Sequence, residues 1–170
     1  FSLNVEKPID WEIISQGKRT NTDDSTYYLI EKPQDDIYLL GGKYNRYSRS
    51  IQLSGQDIEI EVYLFAANPA LARKYLDKSA EYITDFSETI GSYPYSKFAV
   101  VENSYQTGFG MPGFTLLGSR IIRFPFILNS SLPHEILHNW WGNGVFVDYH
   151  AGNWSEGLTA YLADHWMQER

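Results

Sequence analysis

At 170 residues, 43% hydrophobic and 21% charged, the chain has the length and makeup of one globular domain, or of one domain and part of a second. Its net charge of -7 comes with scattered Lys and Arg, which offers no basic stripe to neutralise phosphates and argues against nucleic acid as a partner. The absence of Cys excludes disulfides, thiolate nucleophiles and Cys-held zinc, so any metal must be held by His and carboxylates.

No apolar run reaches the roughly 18 residues that a membrane-spanning helix requires. The chain opens on Phe1 without an initiator Met and reaches Arg170 while a helical pattern is still running, so it reads as a piece of a longer parent protein. Residues 1–67 read as β structure. Trp11–Ser15, Thr26–Glu31 and Ile37–Tyr44 are short runs rich in Ile, Tyr and Leu between polar turns. Ile58, Ile60, Val62 and Leu64 alternate with Glu59, Glu61 and Tyr63, the period of a strand with one wet face. Gly41-Gly42 suggests a bulge or bend.

The pattern changes at Asn68-Pro69, a cap followed by a first-turn proline, and a domain boundary is placed there. Leu71, Tyr75, Ser79, Ile83, Phe86 and Ile90 form a helical stripe that stops at Gly91. Lys97–Val101 reads as a buried strand, Ser104–Gly113 as a glycine-rich loop, and Phe114–Leu117 as extended. Two helices follow. One spans about Leu132 to Trp141 with Pro133 in its first turn and Gly142 as its stop; the other starts at a Ser155 cap.

The strongest chemical signal is His134-Glu135-Ile136-Leu137-His138. Two His four apart on a helix lie about 40° from one another around the axis, so both imidazoles face one way and can share a tetrahedral zinc. Glu135 sits about 100° round from His134, an awkward third ligand but well placed to reach the attacking water. An open zinc site needs a third protein ligand, and Glu156, just past the candidate cap of the next helix, fits that role. The competing readings are two unrelated histidines on an ordinary helix and a routine first-turn acid. His150 reads as a solvated loop histidine, His165 as a helix surface or core residue, and Trp140, Trp141 and Trp154 as packing rather than a carbohydrate or lipid wall.

His134–Asn143, HEILHNWWGN, followed by Asn153–Tyr161, NWSEGLTAY, resembles the aminopeptidase-N family of zinc peptidases, gluzincins that include leukotriene hydrolase. Tyr93-Pro94 and the strand Lys97–Val101 are similar to the family's run into its active-site strand. The resemblance implies an α+β architecture. Residues 68–170 would be the first part of a thermolysin-like zincin catalytic domain, and residues 1–67 the end of a preceding β-sheet domain. It implies one zinc ion at His134, His138 and Glu156, Glu135 as general base, peptide as substrate, and the remainder of the parent protein as a partner. The chain departs from the family in three places. Seventeen residues separate His138 from Glu156, one fewer than usual, a difference that a loop absorbs. The Gly-x-Met-Glu-Asn element that grips a substrate's free amine is replaced by Gly108-Phe109-Gly110-Met111-Pro112-Gly113-Phe114, without the Glu-Asn pair. Gly108, Gly110, Met111, Pro112 and Gly113 therefore stand as candidate substrate contacts, with Glu102 as a substitute amine anchor or an ordinary strand-end acid. The family's transition-state Tyr would lie beyond Arg170. Endopeptidase action, another zinc hydrolysis, or a non-catalytic scaffold remain alternative readings.

Overall fold

The alternation over residues 58–64 builds the strand on which the rest is assembled. The computed structural model describes residues 1–22 and 24–168. Its strands are β1 (Ser2–Glu6), β2 (Glu12–Ser15), β3 (Lys18–Asn21), β4 (Ser25–Leu29), β5 (Leu39–Gly42), β6 (Asn45–Leu53), β7 (Gln56–Leu64), β8 (Lys97–Asn103), β9 (Gly108–Met111) and β10 (Phe114–Gly118). Its α-helices are α1 (Pro69–Thr89), α2 (Ser131–Leu137) and α3 (Trp154–Gln168), with short 3-10 turns at Ile121–Arg123, Pro125–Asn129 and Tyr149–Ala151. The architecture is mixed α and β.

The central sheet has the order β6-β7-β8-β10-β9. β8 runs parallel to β7 and β10, while β6 and β9 are antiparallel to their neighbours at the two edges. This sheet crosses residue 68, so the change of pattern at Asn68-Pro69 marks the start of α1 and not the sheet's edge. The cap forms as the sequence indicates, with Asn68 Oδ1 accepting from Leu71 N–H at 3.0 Å. Tyr75, Ser79, Ile83 and Phe86 of the predicted stripe are buried, and Tyr75, Ile83 and Phe86, with Leu132, Ile136 and Leu137 of α2, meet Ile58, Ile60, Val62, Leu64, Phe98 and Val100 on one face of the sheet. Each such apolar side chain contributes about 1.5–3 kcal/mol. This core fixes α2 against the sheet.

The opposite face is not wet, contrary to the alternation. Ile14, Tyr63, Ala99, Val101, Phe114 and Leu116 form a second core there, with Leu40 of β5 packed against it. Glu61 is fully buried on that side. It survives because Arg46 Nε donates to it at 2.8 Å and Tyr63 Oη at 3.0 Å. A buried carboxylate with such partners reads, in sequence, like a solvent-facing one.

Three further expectations change. Gly41 and Gly42 pair in regular register with Ile13 and Glu12, without a bulge, and a Cβ at Gly41 would lie 3.2 Å from both the Ile13 and Trp11 side chains. The glycine-rich stretch holds a strand, β9, because pairing with β10 satisfies a backbone whose side chains give little strand signal. β1, β3 and β6 are additional strands; polar residues mask the period in β3 and β6, whereas in β1 Leu3 and Val5 alternate with Ser2, Asn4 and Glu6.

Candidate active site

The local sequence shapes α2 from both ends. Leu132, Ile136 and Leu137 bury one side of the helix, leaving His134 and Glu135 half-buried on the other. Regular helix ends at Leu137, four residues earlier than the pattern suggests, but His138 keeps helical angles and donates its N–H to His134 O at 3.3 Å. The two imidazoles therefore retain their one-turn relationship. The chain then tightens: Asn139 N–H bonds Ile136 O, Trp140 N–H bonds Leu137 O, and Gly142 turns at φ 108°. This brings Trp141 O back to His138 Nδ1 at 3.2 Å. A proton on Nδ1 donated to that carbonyl leaves Nε2 with a free lone pair.

α3 begins at Trp154, so Ser155 lies inside the first turn rather than at the cap. Asn153 Oδ1 accepts from Glu156 N–H at 3.5 Å instead, while buried Ser155 Oγ donates to Trp141 O at 2.9 Å. That bond ties the second helix to the turn after the first.

His134, His138 and Glu156 come together. His134 Nε2 and His138 Nε2 are 3.1 Å apart, and each lies 3.4 Å from one oxygen of the Glu156 carboxylate. Ligands at about 2.0–2.1 Å from a tetrahedral zinc stand about 3.3–3.4 Å from each other, so this donor set fits the ion in chemistry and spacing. The electrostatics agree. Burial, and then the neighbouring His138, hold His134 below the ordinary imidazole value despite the Glu156 charge, which favours the neutral, metal-ligating form.

The Glu135 carboxylate, in the same cleft, packs against β9. A Cβ at Gly108 would lie 2.9 Å from Glu135 Oε1, and one at Gly110 2.8 Å from Oε2. The two glycines of the edge strand thus pass so close to the carboxylate that a Cβ at either would displace the Glu135 side chain. Burial, followed by the Glu156 charge, pushes the Glu135 carboxyl up to about 7.

These groups share a cleft of about 380 Å³ with Phe109, Gly142, Asn143, Asn153 and Ser155. Asp35, Tyr38 and Tyr149 also line it; the sequence did not single them out, since nothing local links the β4–β5 loop to residues a hundred positions away. The loop is held by buried side chains at the end of β2. Gln16 Oε1 accepts from Tyr38 N–H at 2.9 Å, Gln16 Nε2 donates to Asp36 O at 2.7 Å, and Ser15 Oγ donates to Tyr38 O at 2.7 Å. The cleft lining contains three carboxylates and neither Lys nor Arg.

The remaining candidates separate. Gly108 and Gly110 line the cleft, Met111 packs on the other side of the sheet, and Pro112 and Gly113 form the buried turn into β10. Glu102 is unavailable as an amine anchor: it is buried, accepting from Arg123 Nη1 at 2.7 Å and Phe65 N–H at 2.8 Å. His150 and His165 are exposed. Trp140 is core, with Nε1 donating to Gly91 O at 2.9 Å, while Trp154 is partly exposed.

Neither a protein-family model nor a curated protein matches the sequence. Solved structures do. A variant of a two-domain M1 zinc metallopeptidase, bound to L-arginine, matches with a TM-score of 0.73 and 19% identity over 99% of this chain. The chain shares the fold of M1 zinc metallopeptidases. An M1 zinc metallopeptidase from Deinococcus radiodurans gives 0.73 and 20% over 99% of the chain, and a variant from that organism bound to a Tyr-Ser-Ala substrate gives 0.61 and 18%. At these identities the likeness is one of fold, and the chain spans 40% of the length of each of these three structures.

Proposed function

We propose that this chain carries the metal site and general base of a zinc-dependent peptide-bond hydrolase of aminopeptidase type, within a thermolysin-like domain. The observation that carries the reading is the convergence of His134 Nε2, His138 Nε2 and the Glu156 carboxylate beside a Glu135 carboxylate packed against a glycine-lined edge strand. His134, His138 and Glu156 would hold the ion; bound there, zinc supplies a Lewis acid that polarises a scissile carbonyl and acidifies a water.

The chain's own residues do the rest. β9, the outermost strand of its sheet, offers backbone groups to an extended peptide, and Gly108 and Gly110 let that backbone come close to Glu135. Glu135 takes a proton from the attacking water on one carboxylate oxygen and returns it to the leaving amine. The Asp35 carboxylate, on a loop fixed by Ser15 and Gln16, supports recognition of a cationic substrate amine in place of the absent Glu-Asn pair.

The test is mass spectrometry of a mixed peptide pool treated with the full-length parent protein, with and without a zinc chelator. Chelator-sensitive removal of single N-terminal residues is expected. Internal cuts would replace the aminopeptidase reading with an endopeptidase one, and no cleavage by the zinc-loaded protein would sink both. Glu135→Gln is expected to keep zinc and to lose turnover by about 10²-fold or more; retained turnover would remove Glu135 from the base role.

A further inference from the structure

Asn139 follows the second histidine directly and has no exposed surface. A buried amide at the end of a helix is costly unless each polar atom is paired, and here each is. Oδ1 accepts from Gly113 N–H at 2.8 Å. Nδ2 donates to Ile136 O at 2.9 Å and to Glu135 O at 3.4 Å. One side chain thus joins the backbone of Glu135 to the turn of the β9–β10 hairpin.

The same turn is held from its other side. Gly113 adopts φ 77°, and its carbonyl accepts from Ala99 N–H at 3.0 Å and from buried Lys97 Nζ at 3.4 Å. A Cβ at Gly113 would stand 3.2 Å from Lys97 O, so the turn sits tight against β8. The hairpin is clamped between β8 and α2. Its far arm presents Gly108 and Gly110 to the Glu135 carboxylate.

We infer that Asn139 is a positioning residue, which sets the register between the edge strand that receives the peptide and the carboxylate that acts on it. The inference rests on the function proposed above. A peptide added to β9 moves with the hairpin. Loosening the Asn139 link therefore leaves the peptide's contacts with the strand in place but shifts its carbonyl relative to Glu135 and the metal ligands. The expected signature is a loss in kcat with KM nearly unchanged, since misplacement by about 1 Å costs on the order of 10²-fold.

The experiment uses the full-length parent protein and a peptide that the wild type cleaves, with kcat expressed per bound zinc. Asn139→Leu is expected to keep its zinc and a KM within about threefold, to lose about tenfold or more in kcat, and to lose hydrogen-exchange protection at the Gly113 amide. Asn139→Asp keeps an acceptor for Gly113 N–H but lacks the donor to Ile136 O and Glu135 O, so it is expected to keep protection at the Gly113 amide while losing kcat as Asn139→Leu does. If Asn139→Leu does not fold, Asn139→Ser, whose hydroxyl is too short to reach Gly113, carries the same expectation. An unchanged kcat per zinc in a variant whose Gly113 amide has lost protection overturns the inference. So does a loss of activity that merely tracks lost zinc or lost folded protein. A wild type that cleaves no peptide overturns both this inference and the function beneath it, whereas an active wild type with an indifferent Asn139→Leu overturns this inference alone.

Discussion

Gly110→Ala separates catalysis from stability at a single methyl group. The added Cβ would stand 2.8 Å from Glu135 Oε2, about 0.6 Å inside the 3.4 Å of ordinary contact. The other near atoms, His138 Cβ and Cδ2 at 3.5 Å, are already at contact distance. The strain therefore falls on Glu135, the flexible partner. Folding is expected to lose no more than about 1 kcal/mol, because the carboxylate can swing outward into the cleft. Turnover is expected to fall about 10- to 100-fold, or about 1.4–2.7 kcal/mol of transition-state stabilisation, because the displaced base no longer meets its water. The assay is kcat/KM on a peptide substrate of the parent protein, beside zinc content and a denaturant titration. Wild-type kcat/KM in a zinc-loaded, folded Gly110→Ala protein would refute the packing of β9 against Glu135 as a catalytic feature. A stability loss of several kcal/mol would refute the view that the methyl is absorbed by the side chain alone.

Three further outcomes follow from the same geometry. Ser155→Ala removes one of two donors to Trp141 O and is expected to weaken zinc binding about tenfold, measured by competition with a chromogenic chelator; unchanged affinity would show that His138 needs no support from α3. Asp35→Asn is expected to raise KM severalfold for peptides with a free amine and to leave N-acetylated peptides unaffected; an equal effect on both would exclude Asp35 from amine recognition. Lys97 is buried, and desolvation, only partly offset by Glu61, pushes its ammonium down to about 8, so between about pH 8 and 10 the unfolded chain holds a proton that the folded one lacks. Stability from this group should rise with pH across that window and be lost as pH falls through about 8. Lys97→Met should flatten the rise in urea titrations at pH 7.5 and 9.5, and parallel profiles would contradict it.

What was legible in the sequence was what is local along the chain. The Asn68-Pro69 cap, the α1 stripe and the His134–His138 pair each depend on residues within one or two turns, and each formed. Glu156 lies near both imidazoles because it stands in the first turn of the next helix. What was hidden depends on partners far away in sequence. Glu61 carries the charge of a surface residue, and its burial is made tolerable by Tyr63 on its own strand and by Arg46 and Arg19, both remote in the chain. β9 has two glycines and a weak strand period, and β10 gives it its structure. Asp35 and Tyr38 enter the cleft because Ser15 and Gln16, at the end of a different strand, fold their loop over it. Ser155 satisfied the composition of a cap, yet its hydroxyl bonds Trp141 O and the cap falls to Asn153, since the carbonyl that already meets His138 competes for the donor.

The way the ligands are held predicts how the protein responds to loss of metal. The His134–His138 arm is carried by a helix with Leu132, Ile136 and Leu137 in the main core, so its position comes from apolar burial. His138 is further oriented by Trp141 O, and α3 is tied to the same carbonyl through Ser155, with Thr159 and Ala163 buried behind it. Glu156 itself is exposed and rests on the position of its helix. A small zinc domain that folds only with its ion has no comparable apolar support for its ligands. Chelation of the parent protein is therefore expected to abolish turnover while far-ultraviolet circular dichroism keeps its shape, and zinc is expected to restore activity within the mixing time. Loss of cooperative unfolding on chelation would show that the ion, and not the packing of α2 on the sheet, holds the two histidines in place.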